Sequence, residues 1–266
     1  MSAVEEWIKA CEHLQLGQHF RGGQFFPGDE DYLKEVEQRV EPRRRFTANE
    51  KDLNGTRSGR FHFDLGAIPY VGNLRTAQIF LLMINPGVNN DDYEDLRNHE
   101  VQCLFERNRH QKLDYCFAFK KSGIPKQAWT PYFARMFGGL INSYPQDRRD
   151  CFLNKLAKSV AILELVPYFS QRATLIDDFH ITNGKRTVNG STVEGLPSAR
   201  LAIRAAHEIA SKSENLIIFR WKKSPERWEL VGERENCVIS TSMSGLTEVV
   251  KQRIRLKLQE IDPECC

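Results

Sequence analysis

Three short segments carry side chains whose type and spacing suit chemistry on a polar ligand. Met83-Ile84-Asn85-Pro86-Gly87 closes an apolar run. An amide such as Asn85 is no general base, but its carbonyl can hold and orient a water. Pro86 fixes its own φ at about −65°, and Gly87 lets the backbone approach a ligand closely. Ser244-Gly245-Leu246-Thr247 opens a helical pattern near the C-terminus, where free backbone N–H groups can meet a phosphate. Glu164 lies inside an apolar run that ends at Pro167-Tyr168. An ionised carboxylate there only accepts hydrogen bonds and suits an amino group, whereas a protonated one also donates.

The elements that position these residues follow from periodicity. Residues 77–87 read as a buried strand running into an Asn-Pro-Gly turn. Residues 160–166, 215–221 and 237–240 read as three further strands. Helices are expected over 4–14, 31–40 and 147–158, and from Thr130-Pro131, Ser198 and Thr247. Leu201, Ala205 and Ile209 share one helical face, as do Val250, Ile254, Leu258 and Ile261. Strands separated by helices imply right-handed crossovers. The expected fold is therefore α/β, a three-layer sandwich with a mainly parallel four-stranded central sheet. Ligands in such sheets sit beyond the carboxyl ends of the strands, where Asn85, Tyr168, Lys222 and Ser242 fall. Residues 1–76 read as an N-terminal extension packed on a domain formed by 77–266. Residues 171–197 form a long polar loop with two Asn-Gly turns, and loops of this length are often binding elements.

Composition narrows the classes. With 41% hydrophobic residues among 266, the chain can bury a core and is not a disordered polymer. The longest apolar run, 79–84, falls far short of the roughly 20 residues of a membrane helix. The N-terminus lacks the basic and apolar regions of a signal peptide, so a cytoplasmic protein away from membranes is expected. The seven cysteines are scattered without a C-x-x-C pair, so no metal centre is expected and the thiols should be reduced. Neither G-x-x-x-x-G-K-[ST] nor G-x-G-x-x-G occurs, which argues against a common nucleotide-handling enzyme. A net charge of +3 is too mild to announce nucleic-acid binding. Basic residues nevertheless cluster with aromatics at 43–46, 57–61, 107–112, 120–121 and 220–223, as phosphate contacts and strand stacking require.

The ordered segments resemble the uracil-DNA glycosylase superfamily, and most closely its mismatch-specific thymine/uracil branch. Met83-Ile84-Asn85-Pro86-Gly87 is similar to that branch's Gly-Ile-Asn-Pro-Gly motif. Ser242-Met243-Ser244-Gly245-Leu246-Thr247 is similar to its Asn-Pro-Ser-Gly-Leu-Ser motif. Leu216-Ile217-Ile218-Phe219-Arg220-Trp221-Lys222 resembles a strand that typically ends in Trp-Gly-Lys. The resemblance spans residues 77 to about 250.

The resemblance implies a uracil-DNA glycosylase-like fold and a monofunctional DNA glycosylase that flips a base and hydrolyses its glycosidic bond, with no cofactor and no obligatory protein partner. Asn85 would position the water, and Ile84, Pro86 and Gly87 would line the nucleotide site. Ser244, Gly245, Leu246 and Thr247 would contact DNA with Lys222, with Leu246 filling the space left by the flipped base. Tyr93 or Tyr168 would supply the aromatic platform. Two departures matter. Ser242 stands where the family has His or Asn to help the base leave. Glu164 stands on the strand that, in uracil-specific members, ends in a pyrimidine-reading Asn. An ionised Glu164 suits cytosine N4–H₂ rather than O4 of uracil, which points to a modified cytosine, as in some viral genomes, and to antiviral defence. The alternative is a non-catalytic DNA-binding module that kept the fold.

Overall fold

Successive residues of the central strands feed two separate cores, one on each face of a sheet. The computed structural model describes residues 1–14, 25–30, 65–87, 98–119, 129–169, 186–188, 191–193, 195–232, 234–241 and 245–261. In chain order the strands are β1 (Tyr70–Val71), β2 (Ile79–Met83), β3 (Val160–Glu164), β4 (Arg186–Val188), β5 (Ser191–Val193), β6 (Leu216–Phe219) and β7 (Cys237–Ile239). Five form one sheet in the order β1-β3-β2-β6-β7, and β4 and β5 pair separately. Phe80, Leu82, Ala161, Leu163, Ile217 and Phe219 enter one core. Their neighbours Ile79, Leu81, Met83, Val160, Ile162, Leu216 and Ile218 enter the other. This is the period-two alternation of strands buried on both faces.

Helices cover both faces, giving an α/β sandwich. On one side lie α1 (Ala3–Cys11) and α5 (Pro197–Ser211). On the other lie α2 (His99–Arg109), α3 (Trp129–Ile141), α4 (Arg149–Ser159) and α7 (Glu248–Ile261). A single short turn of helix, α6 (Ser224–Arg227), leads from β6 towards β7.

The expected four strands pair in parallel, as β3-β2-β6-β7. The sheet is nevertheless mixed and five-stranded, because β1 adds an antiparallel edge, with Tyr70 opposite Leu163 and Val71 opposite Ile162. Two residues carry too little pattern to announce a strand. Side-chain amides from the end of α2 secure this edge. Asn108 Oδ1 accepts the Gly72 N–H at 2.7 Å and its Nδ2 donates to Tyr70 O at 3.0 Å. Gln111 Oε1 accepts the Leu74 N–H at 2.6 Å. Gly72 has φ +102°, and a Cβ there would lie 2.7 Å from Val160 O, so only glycine fits.

The N-terminal residues take part in the same layers. Val4, Trp7, Ile8 and Cys11 are buried at helical spacing along α1. Ser2 caps the helix by accepting the Glu5 N–H, and Glu208 of α5 accepts the N–H groups of Ala3 and Val4. The fully buried Trp7 contributes about 1.5–3 kcal/mol by leaving water. The sheet thus begins before residue 77, and a helix from the first residues completes one of its covers. The helix expected over 31–40 lies outside the described residues. Within the polar segment 171–197, the structure forms an antiparallel pair, β4 with β5, on either side of Asn189-Gly190.

Candidate functional site

The order of the parallel strands defines one crevice. The chain passes from β2 to β3 on one side and later returns to β6 on the other. The succession therefore reverses between β2 and β6, and ligands of open α/β sheets bind outside the carboxyl ends at such a point. Asn85 follows β2 there and Trp221-Lys222 follow β6, while Glu164 ends the neighbouring β3.

The Asn85 turn is anchored at its base. Beyond the strands proper, the Leu165 N–H donates to Met83 O at 3.3 Å and the Val166 N–H to Ile84 O at 2.9 Å. Trp228, fully buried, donates from Nε1 to Met83 O at 3.1 Å. Ile84 is buried beneath the turn. Asn85 is half-buried, and its Nδ2 donates to Pro86 O at 2.9 Å. That contact uses the amide nitrogen and turns it towards the backbone. Pro86 is buried and Gly87 exposed. A Cβ on Gly87 would meet no atom of the described residues within 4 Å, so their packing does not impose glycine there.

Glu164 is the anomaly of the site. It stands in register with Met83 and is 7% exposed, yet its Oε2 has no hydrogen-bond partner among the described residues. Burial alone pushes its pKa well above the ordinary carboxylate range, since a buried charge without a partner is costly. Burial thus favours the protonated form of Glu164, which both donates and accepts, whereas the preference for cytosine over uracil required an ionised carboxylate.

At the end of β6, Arg220 is 2% exposed and donates from Nη1 to Ser240 O at 3.4 Å. Its guanidinium lies 5.2 Å from the centroid of the Trp221 ring. Trp221 is 38% exposed, and Lys222 and Lys223 beside it are exposed. The sequence had marked Lys222 as a DNA contact, and Trp221 only as part of the Trp-Gly-Lys resemblance and of a basic run.

Two expected site residues belong to the core instead. Tyr168 is fully buried. Its hydroxyl donates to Asp29 Oδ2 at 2.8 Å and accepts the Phe26 N–H at 3.1 Å. It ties residues 25–30 to the domain and offers no face to a flipped base. Leu246 is 4% exposed and lies in the core cluster with Met136, Phe137 and Val250. Its N–H donates to Met136 O at 3.2 Å, so it is packed rather than poised to enter a groove. Gly245 O accepts from Ser240 Oγ at 3.4 Å. Thr247 immediately precedes α7, its carbonyl accepting the Lys251 N–H at 2.9 Å. Tyr93, Ser242 and Ser244 lie outside the described residues.

Several other expectations are redirected. The basic stretch 107–112 holds Asn108, Arg109 and Gln111 buried, two of them serving the β1 edge. Ser198 does not cap α5. It is the second residue of that helix, and Asp29 accepts its N–H at 3.0 Å, a cap supplied from far along the chain. Cys11 and Cys116 are buried free thiols, whereas Cys151 is disulfide-bonded, unlike the reduced thiols expected. Among the described residues, no three His, Cys, Asp or Glu side chains gather to hold a metal, and no helix is long and apolar enough to cross a membrane.

No family model matches this chain, and neither a curated protein nor a solved structure resembles it significantly.

Proposed function

We propose that the protein is a DNA glycosylase that hydrolyses the bond between a flipped base and its sugar. The observation that carries this reading is the anchored Asn85-Pro86-Gly87 turn at the β2/β6 crevice, with a buried Glu164 one strand away whose Oε2 lacks a hydrogen bond among the described residues. The ordered resemblance of three segments to uracil-DNA glycosylases supplies the reaction class.

In this mechanism the side-chain carbonyl of Asn85 orients a water beneath the sugar. Water oxygen bonds to the anomeric carbon, the carbon–nitrogen bond breaks, and its electron pair leaves with the base. One proton of the water stays on the new anomeric hydroxyl and the other passes through solvent to the departing base, giving a free base and an abasic site. An oxocarbenium-like sugar and an anionic base develop on the way, so donors aimed at the base accelerate departure. Glu164 pairs with the base edge, donating to an acceptor and accepting from an adjacent N–H. A neutral carboxyl matches the N3/N4 edge of cytosine and the O4/N3 edge of uracil equally. The preference for a modified cytosine, and with it an antiviral role, rests on the departure from the family's Asn and on the long polar segment 171–197. Gly245 and Thr247, just before α7, contact the phosphates with Ser244 and Lys222, and Tyr93 remains the candidate stacking residue.

A second reading, a DNA-binding module without catalysis, is favoured by Ser242, a weak hydrogen-bond partner for a departing base. Incubation with duplexes carrying uracil, mispaired thymine, and 5-substituted or glycosylated cytosines separates the two. The glycosylase releases a free base and leaves alkali-labile sites. The module binds and releases nothing.

A further inference from the structure

We infer that Trp221 is a stacking platform for an unpaired nucleobase of the bound strand, with Lys222 and Lys223 holding the adjoining phosphates. The inference rests on the nucleic-acid reading above and adds a residue and a strand state to it.

Trp221 is the one aromatic side chain among the described residues that is both large and exposed, at 38%. It stands at the carboxyl end of β6, across the crevice from the Asn85 turn. Its position is built rather than incidental. The Trp221 N–H donates to Ser224 Oγ at 3.2 Å, and the Ser224 N–H returns to Trp221 O at 2.9 Å. The pair pins the backbone at the first turn after the strand. Behind it lies the buried Arg220, held by Ser240 O and set 5.2 Å from the indole centroid. A guanidinium on one side of an indole polarises the ring and leaves the remainder of its surface for a second flat partner. Lys222 and Lys223, both exposed, bring two positive charges beside that surface.

An exposed indole flanked by lysines fits the two parts of a nucleotide: a flat base that stacks and an anionic phosphate. Stacking of this kind is sequence-tolerant, because every base has a π-face, and it requires the base to be unpaired. The platform therefore favours single-stranded or locally opened DNA over intact duplex.

The test reads tryptophan emission while single-stranded oligo-dT and oligo-dA of about 16 nucleotides are added to the full-length protein. Trp7 and Trp228 are fully buried and a Trp129→Phe background removes the fourth tryptophan, so a base stacking on Trp221 should quench emission. Trp221→Phe should abolish the quench while keeping affinity within about threefold, because the ring remains. Trp221→Ala should weaken binding about 5- to 150-fold with an unchanged salt slope. Lys222→Ala with Lys223→Ala should instead lower that slope by about 1.4. A quench that survives in Trp221→Phe, or unchanged affinity in Trp221→Ala, overturns the platform. Failure of the native protein to bind any DNA at low salt overturns both the platform and the nucleic-acid reading. A platform response without base release from any substrate leaves the platform standing and contradicts only the glycosylase.

Discussion

Glu164 and Met83 stand side by side at the carboxyl ends of adjacent parallel strands, and Met83 lies two residues before Asn85. The backbone of β3 continues past Glu164 to hold Met83 and Ile84 by their carbonyls. A buried carboxyl and a candidate water-positioning amide are thereby fixed at the ends of neighbouring strands.

Glu164 gives the molecule a distinctive pH dependence. Its folded pKa lies well above the ordinary 4.5, so the folded state keeps a proton that the unfolded chain releases. Its contribution to stability is complete below about pH 4.5 and is lost as pH rises towards the folded value. Glu164→Gln cannot ionise. Urea titrations should show that variant gaining on the native protein by up to about 1.4 kcal/mol per pH unit above pH 5. Parallel curves from pH 5 to 8 would mean that Glu164 ionises freely in the folded state.

Asp29 should behave similarly over a narrower window. Burial raises it from 3.8 to about 6, against the lowering effects of hydrogen bonds from Ser198 and Tyr168. Its contribution is complete below about pH 4 and is lost as pH rises through 6. Comparison with Asp29→Asn should isolate about 3 kcal/mol of pH-dependent stability across that interval. Tyr168→Phe, which strips Phe26 N–H and Asp29 of their shared hydroxyl, should cost about 1–3 kcal/mol and leave substrate affinity unchanged. A raised KM at native stability would return Tyr168 to the site.

Leu246 is a packing residue by its surroundings. Leu246→Ala should cost about 2–5 kcal/mol in denaturant midpoint experiments, as core truncations do. A surface wedge would lose DNA affinity at almost unchanged stability, so the ratio of the two losses decides between them.

The sheet was largely legible because its four parallel strands are short apolar runs closed by Pro, Gly or polar residues, as at Asn85-Pro86 and Pro167. The edge strand β1 was not, since Tyr70-Val71 is too short for any period and depends on amides of Asn108 and Gln111 that arrive from another element. The position of the Asn85 turn was legible from the strand that precedes it. The burial of Leu246 and Tyr168 was not, because a lone apolar residue beside a motif reads the same whether it faces solvent or core. Only the tertiary contacts with Met136 and with Asp29 separate the two. The raised pKa of Glu164 was equally hidden, since it comes from a burial that only the folded chain reveals.

The central claim is that Asn85 serves hydrolysis at the β2/β6 crevice. Single-turnover base release from duplexes carrying uracil, mispaired thymine and modified cytosines, with native protein and Asn85→Ala side by side, tests it most directly. The account predicts release of a free base by the native protein. It predicts a rate at least about 100-fold lower in the variant, as misplacement of a reacting group produces, with DNA affinity and unfolding midpoint retained. Release at the native rate by Asn85→Ala, or no release by the native protein from any of these substrates, would contradict it.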